Sequence, residues 1–145
     1  MFWEVKLFME ESSLKELVHK EIDAAKGRLD AAELLFNDGK LIDAVNRAYY
    51  SSFHAGKALL HSIGRDAKTH SGLVSEIGFH LVERGIMEKK YGTILRRLFE
   101  ARETSDYVVG AVFSEEEVKK MLEEAKLFLQ MAEKKSMENL KRYLK

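Results

Sequence analysis

Asp43-Ala44-Val45-Asn46-Arg47-Ala48-Tyr49-Tyr50-Ser51-Ser52-Phe53-His54-Ala55-Gly56-Lys57 is the stretch on which the fold turns. It has no strand-like alternation, and it is rich in small residues: Ala44, Ala48, Ser51, Ser52, Ala55, Gly56 and, just beyond, Ala58. Side-chain size at a helix contact sets how near two axes can come. The segment therefore predicts a central helix with the others packed closely around it.

The punctuation on either side sets its limits. The chain has no proline, so glycine and capping residues mark the boundaries. Asn37-Asp38-Gly39 closes a first helix that Ser12 or Ser13 can cap, with Gly39 free to take positive φ. The second helix runs from about Leu41 to Ile63 and stops at Gly64. Thr69 can cap a third, ending near Gly85, and a fourth runs from about Tyr91 to Tyr107. Val108-Val109-Gly110-Ala111-Val112 loses the helical period and reads as an extended connection. Ser114-Glu115-Glu116-Glu117 is a capping box with acids at the positive end of the helix dipole, opening a last helix to about Tyr143.

Two stripes support this division. Leu14, Leu17, Val18, Ile22, Ala25, Leu29, Ala32 and Phe36 share one face of the first helix. Val118, Met121, Leu122, Ala125, Phe128, Leu129 and Ala132 do the same in the last. The fold class is all-α: an up-and-down bundle of about five helices with a four-helix-bundle-like core. No repeat or linker divides residues 1–145, so one domain is expected. Residues 1–10, with Phe2, Trp3 and Phe8, read as an N-terminal extension, either a further helical turn or an oligomer contact.

With 145 residues, 46% apolar and 33% charged, the chain can bury a sizeable core and is neither disordered nor membrane-like. No apolar run nears the ~18 residues that span a bilayer, and the N-terminus does not read as a secretory signal. A cytoplasmic, non-membrane setting is expected. Cysteine is absent, which removes disulfides, thiolate metal sites and a thiol nucleophile. The formal net charge is 0. Residues 1–38 carry 5 basic and 9 acidic groups, whereas residues 39–112 carry 11 and 8. A mildly basic middle permits phosphate contact but lacks the footprint of a dedicated nucleic-acid binder.

A polar set runs along the central helix. Arg47 and His54 are two turns apart, nearly on one face and about 10 Å apart along the axis. Asp43 lies one turn before Arg47, and Tyr50 one turn before His54, so Asp43 can pair with Arg47 and Tyr50 can orient His54. Histidine moves protons near neutral pH, and arginine holds phosphate and stabilises charge building on it. RNA carries its own nucleophile in the 2′-hydroxyl, so no metal is obligatory. The bland alternative is an Arg47–Asp43 ion pair beside a satisfied, semi-buried histidine. Two further segments are candidates for binding a nucleotide, RNA or a partner. In Lys68-Thr69-His70-Ser71-Gly72-Leu73, Lys68 and His70 flank a helix start that can hold an anion, or that is an ordinary cap. Arg96, Arg97 and Arg102 offer a basic rim, though Arg102 and Asp106 are also placed for an i,i+4 surface pair.

Other chemistry is excluded. Glu16-Leu17-Val18-His19 is a lone Glu-x-x-His with no second copy for a di-iron site. His19, His54, His61, His70 and His80 make no zinc signature, and there is no phosphate-binding loop or nucleophile elbow.

Asn46-Arg47-Ala48-Tyr49-Tyr50-Ser51-Ser52-Phe53-His54-Ala55 resembles the signature helix of small prokaryotic HEPN proteins. The likeness continues through Lys68 to Leu73, Tyr91 to Glu100, and Arg102 to Asp106-Tyr107, in matching order across about residues 14–130. The resemblance implies a helical bundle that dimerises and pairs with a minimal nucleotidyltransferase, in modules that include toxin–antitoxin systems. It implies, for several branches, a metal-independent ribonuclease with an Arg-x(4–6)-His motif; for others it implies nucleotide or partner binding alone. Arg47-x6-His54 meets that spacing. The expectation is thus a homodimeric protein, needing no cofactor or metal, that binds RNA or nucleotide phosphate. In the catalytic version His54 transfers the proton, Arg47 stabilises the phosphate, and Asp43 and Tyr50 orient them.

Overall fold

The stripes and stops of the sequence become five α-helices in the structure, a computed structural model that describes residues 11–110 and 112–143. They are α1 (Glu11–Asn37), α2 (Leu41–Ser62), α3 (His70–Ile77), α4 (Lys89–Tyr107) and α5 (Glu115–Tyr143). Among the described residues there is no strand. The aromatic residues Phe2, Trp3 and Phe8 lie outside the described residues. α1 is already helical at Glu11, so Ser12 and Ser13 lie within the helix and neither stands at its N-cap position.

α1 ends where Gly39 takes φ of 77°. There Lys40 N–H donates to Leu35 O (2.9 Å) and Gly39 N–H to Phe36 O (3.0 Å), the paired bonds of a Schellman stop. α5 opens on the predicted box: Glu117 N–H donates to Ser114 Oγ at 3.0 Å, and Ser114 N–H to Glu117 Oε1 at 2.9 Å. The backbone and hydroxyl of Ser114 hold the Glu117 carboxyl below its usual range.

The third helix differs from the expectation. It leaves the α-helical register at Ile77 and continues as a π-helical turn, Gly78–Val82, whose Glu83 N–H reaches back to Gly78 O at 3.0 Å. The wider turn brings His80 and Leu81 inward. Nε2 of His80 lies 3.1 Å from Glu76 Oε2.

α2 is the centre of the bundle and packs against α1, α3, α4 and α5. Ala44, Ala48, Ser51, Ser52, Ala55, Gly56 and Ala58 are all buried. A Cβ on Gly56 would stand 3.1 Å from Leu73 Cδ2 and 3.2 Å from Ile77 Cδ1, so glycine there lets α3 lie close. From α1, Leu14, Val18, Ile22, Ala25, Leu29 and Ala32 are buried. From α5, Val118, Leu122, Ala125, Phe128, Leu129 and Ala132 join them. Each fully buried large apolar side chain contributes ~1.5–3 kcal/mol. Ser51 is accommodated because its hydroxyl donates to Ala25 O of α1 at 2.8 Å. No described helix is long and apolar enough to cross a membrane.

Candidate functional site

One strip of α2 is left only partly covered, between α1 on one side and α3 with α4 on the other. Along it Asp43 and Arg47 are exposed, while Asn46, Tyr50, Phe53, His54 and Lys57 are half-buried. On the α1 side, His54 Nδ1 lies 2.8 Å from Glu21 Oε1, with side chains 20% and 17% exposed. A carboxylate only accepts, so Nδ1 carries a proton and Nε2 is the nitrogen left for a ligand.

The two local pairings expected along the helix do not form. Asp43 and Arg47 are both in water and make no ion pair with each other; an exposed pair gains little against side-chain entropy. Tyr50 does not orient His54. Its ring leans the other way, 5.6 Å from the His70 ring, and its hydroxyl lies 3.4 Å from Arg102 Nη2. Glu21 takes the orienting place.

The other flank of the strip is an aromatic and cationic cluster. Tyr49 is fully buried, and its hydroxyl lies 2.6 Å from His70 Nδ1. Burial pushes the Tyr49 phenol well above its ordinary range. Burial, helped by the Arg102 charge, holds the His70 imidazole below its ordinary value. The Arg102 guanidinium lies 5.6 Å from the Tyr49 ring centroid and 5.7 Å from that of Tyr50, within cation–π range. Asp106 Oδ2 is 2.9 Å from Arg102 Nε, the expected i,i+4 ion pair. Phe53 joins the two flanks: its ring centroid is 5.3 Å from the ring of His54 and 4.6 Å from that of His70.

The chain between α2 and α3 sets the position of His70. Asp66 gathers Lys57 Nζ at 2.7 Å and His61 Nε2 at 3.2 Å, tying the loop to the end of α2. Thr69 then caps α3, its Oγ1 accepting from Gly72 N–H at 2.9 Å. His70 is the first residue of that helix.

The basic rim is divided. Residues 96 and 97 lie about 120–140° around α4 from residue 102. Arg97 pairs with Glu124 of α5, Arg96 is exposed, and Arg102 alone turns to α2. Lys68 is exposed beside the cluster. A cleft of about 680 Å³ between the Gly85 turn and α5, lined by Arg84, Lys135, Asn139 and Lys141 among others, shares no residue with the α2 strip. Among the described residues no group of acidic and histidine side chains is placed to hold a metal.

Three contributors, Glu21, Tyr49 and Phe53, were not singled out from the sequence. Glu21 left one trace: Leu14, Val18, Glu21, Ala25, Arg28 and Ala32 share a helical stripe in which Glu21 and Arg28 are charged residues among apolar ones.

The comparisons with known proteins agree with this architecture. The profile of the HEPN domain matches residues 18–135. A candidate toxin of Methanocaldococcus jannaschii is 34% identical over 121 residues, 83% of this chain and 90% of that protein. A UPF0332 protein of Thermotoga maritima is 39% identical over 118 residues, 81% and 89% of the two chains. A second candidate toxin of M. jannaschii is 28% identical over 130 residues, 90% and 88%. A five-helix bundle organised on α2, a profile that spans most of it and relatives alike over nearly their full length lead to one conclusion: the chain belongs to the HEPN domain family.

Proposed function

We propose that this HEPN chain is the toxin-like member of a two-protein module and acts on RNA or nucleotide phosphate without a metal. The observation that carries the reading is the His54–Glu21 contact, 2.8 Å long, on the strip that also bears Arg47. The names of the two M. jannaschii relatives support the toxin assignment. Glu21 fixes the ring of His54 and leaves Nε2 to move a proton. Arg47 extends from the same face into solvent, where its guanidinium can hold a phosphate by two hydrogen bonds.

The step balances without a cofactor. His54 Nε2 takes the proton of the 2′-hydroxyl, and the 2′-oxygen forms a bond to phosphorus. The bond from phosphorus to the 5′-oxygen breaks, that oxygen takes a proton from water, and His54 returns its own proton to the hydroxide so formed. The products are a 2′,3′-cyclic phosphate and a 5′-hydroxyl. The active form is a homodimer with a minimal nucleotidyltransferase as partner. Exposed Ile42, Tyr107, Val108, Val109 and Val112 support an interface at the Asp43 end of the strip.

Purified protein with chelator present should cleave RNA. His54→Ala should lower the rate ~10²–10⁴-fold, Glu21→Gln should lower it less, and sedimentation should report a dimer. Equal background activity of wild type and His54→Ala refutes the catalytic reading.

A second reading has its own support, because a four-fifths-buried His54–Glu21 pair is satisfied without any substrate. In it the pair is structural, and the chain binds nucleotide or its partner without catalysis. His54→Ala then lowers stability and leaves binding intact.

A further inference from the structure

We propose that His70 and Arg102 form a phosphate-binding subsite across Phe53 from His54, with Tyr49 as the positioning residue that decides which ring nitrogen of His70 carries the proton. The ligand class is a phosphate monoester or diester anion. The subsite deepens the RNA- or nucleotide-phosphate reading above and rests on it.

Tyr49 is 0% exposed, and a phenol removed from water must use its donor. Its one hydrogen-bond partner among the described residues is His70 Nδ1, at 2.6 Å. Tyr49 O–H therefore donates to Nδ1. The neutral imidazole then carries its proton on Nε2, which becomes a donor.

The surroundings favour that neutral donor. Burial disfavours a charge on His70, Arg102 facing it from α4 adds to this, and Glu103 opposes them more weakly. Asp106 engages Arg102 on the Nε side, and Tyr50 Oη lies at 3.4 Å from Nη2. Tyr49, Tyr50 and Phe53 face His70 from α2, and exposed Lys68 stands two residues before His70. One guanidinium and one imidazole N–H among the rings of Tyr49, Tyr50 and Phe53 suit an anion, because charge-assisted hydrogen bonds strengthen where water is excluded.

Phe53 relates the subsite to the active face. Its ring is 4.6 Å from the ring of His70 and 5.3 Å from that of His54, so the two imidazoles are no further apart than those distances laid end to end. A phosphate on His70 and Arg102 is then a neighbour of the one acted on at His54. The subsite supplies binding and takes no part in proton transfer.

The test is nitrogen-15 NMR of the His70 ring in the whole chain, with adenosine 5′-monophosphate and a short, uncleavable 2′-O-methyl oligoribonucleotide as probes. The expected result is a proton on Nε2, a saturable Nε2 shift with ligand, and affinity lowered ~10-fold or more by Arg102→Gln. Tyr49→Phe keeps the buried ring and the fold, checked by circular dichroism. It should mix the two ring forms and weaken binding several-fold. Binding of both probes supports the subsite; binding of only one supports it and names the source as free nucleotide or RNA chain. A resting proton on Nδ1, no response to either probe, or full affinity in Arg102→Gln overturns it. Such a failure beside a His54-dependent cleavage activity removes this subsite alone. Loss of that activity with Arg102-dependent binding intact removes the catalytic reading instead.

Discussion

Thr69 and Gly72 at the start of α3 should be strongly non-additive. The Thr69 hydroxyl accepts from Gly72 N–H at 2.9 Å, and a Cβ built on Gly72 would stand 2.7 Å from that same Oγ1. Thr69→Ala removes the cap and costs ~1 kcal/mol. Gly72→Ala gains ~1 kcal/mol of helix propensity but drives its methyl into the capping oxygen. Strain or a displaced cap then costs ~2 kcal/mol, within the range for overpacking, and leaves a net loss of ~1 kcal/mol. In the double variant the oxygen is gone, the strain vanishes, and the propensity gain offsets the lost cap. The double should therefore lie near wild type, ~2 kcal/mol above the sum of the singles. Urea unfolding of the four proteins, followed by circular dichroism, measures the cycle. A double variant whose loss equals the sum within ~0.5 kcal/mol refutes the claim that Gly72 is required by the cap.

Ser52 Oγ is buried and has no hydrogen-bond partner among the described residues. Ser52→Ala should raise the unfolding free energy by ~1 kcal/mol, and a loss of stability in urea would show that the hydroxyl is satisfied. Burial is the leading cause holding His70 and His80 below the usual histidine range, so the unfolded chain binds their protons first as pH falls. Their contribution is complete above about pH 6.5 and is lost as pH drops through the lower folded values. The slope can reach ~1.4 kcal/mol per pH unit for each histidine; stability that is flat or rising from pH 7 to 5.5 counts against it.

How much was legible depended on whether the cause was local. Gly39, the Ser114–Glu117 box and the stripes of α1 and α5 act within a few residues, and the structure matches them. The π-helical turn was not legible, because Gly78-Phe79-His80-Leu81-Val82 is compatible with an ordinary helix and only tertiary packing widens it. α4 begins at Lys89 instead of Tyr91 for a related reason: Glu88 precedes it without a side-chain cap, so no residue type marks the boundary.

The two i,i+4 pairs show the same rule at the site. Arg102–Asp106 forms because the arginine is 16% exposed and held over the rings of Tyr49 and Tyr50, so little freedom remains to lose. Asp43–Arg47 does not form because both ends are in water. Spacing placed Arg47 and His54 on one strip, but their surroundings come from Glu21, 33 residues before His54, and Arg102, 52 residues after Tyr50. α2 thus carries two loads on opposite sides of one helix, a small-residue face that closes the bundle and a polar strip. Any large change on α2 will disturb packing and chemistry together. Substitutions on the neighbouring helices, at Glu21 and Arg102, therefore complement His54→Ala, because those side chains reach the strip while the small-residue face of α2 stays closed.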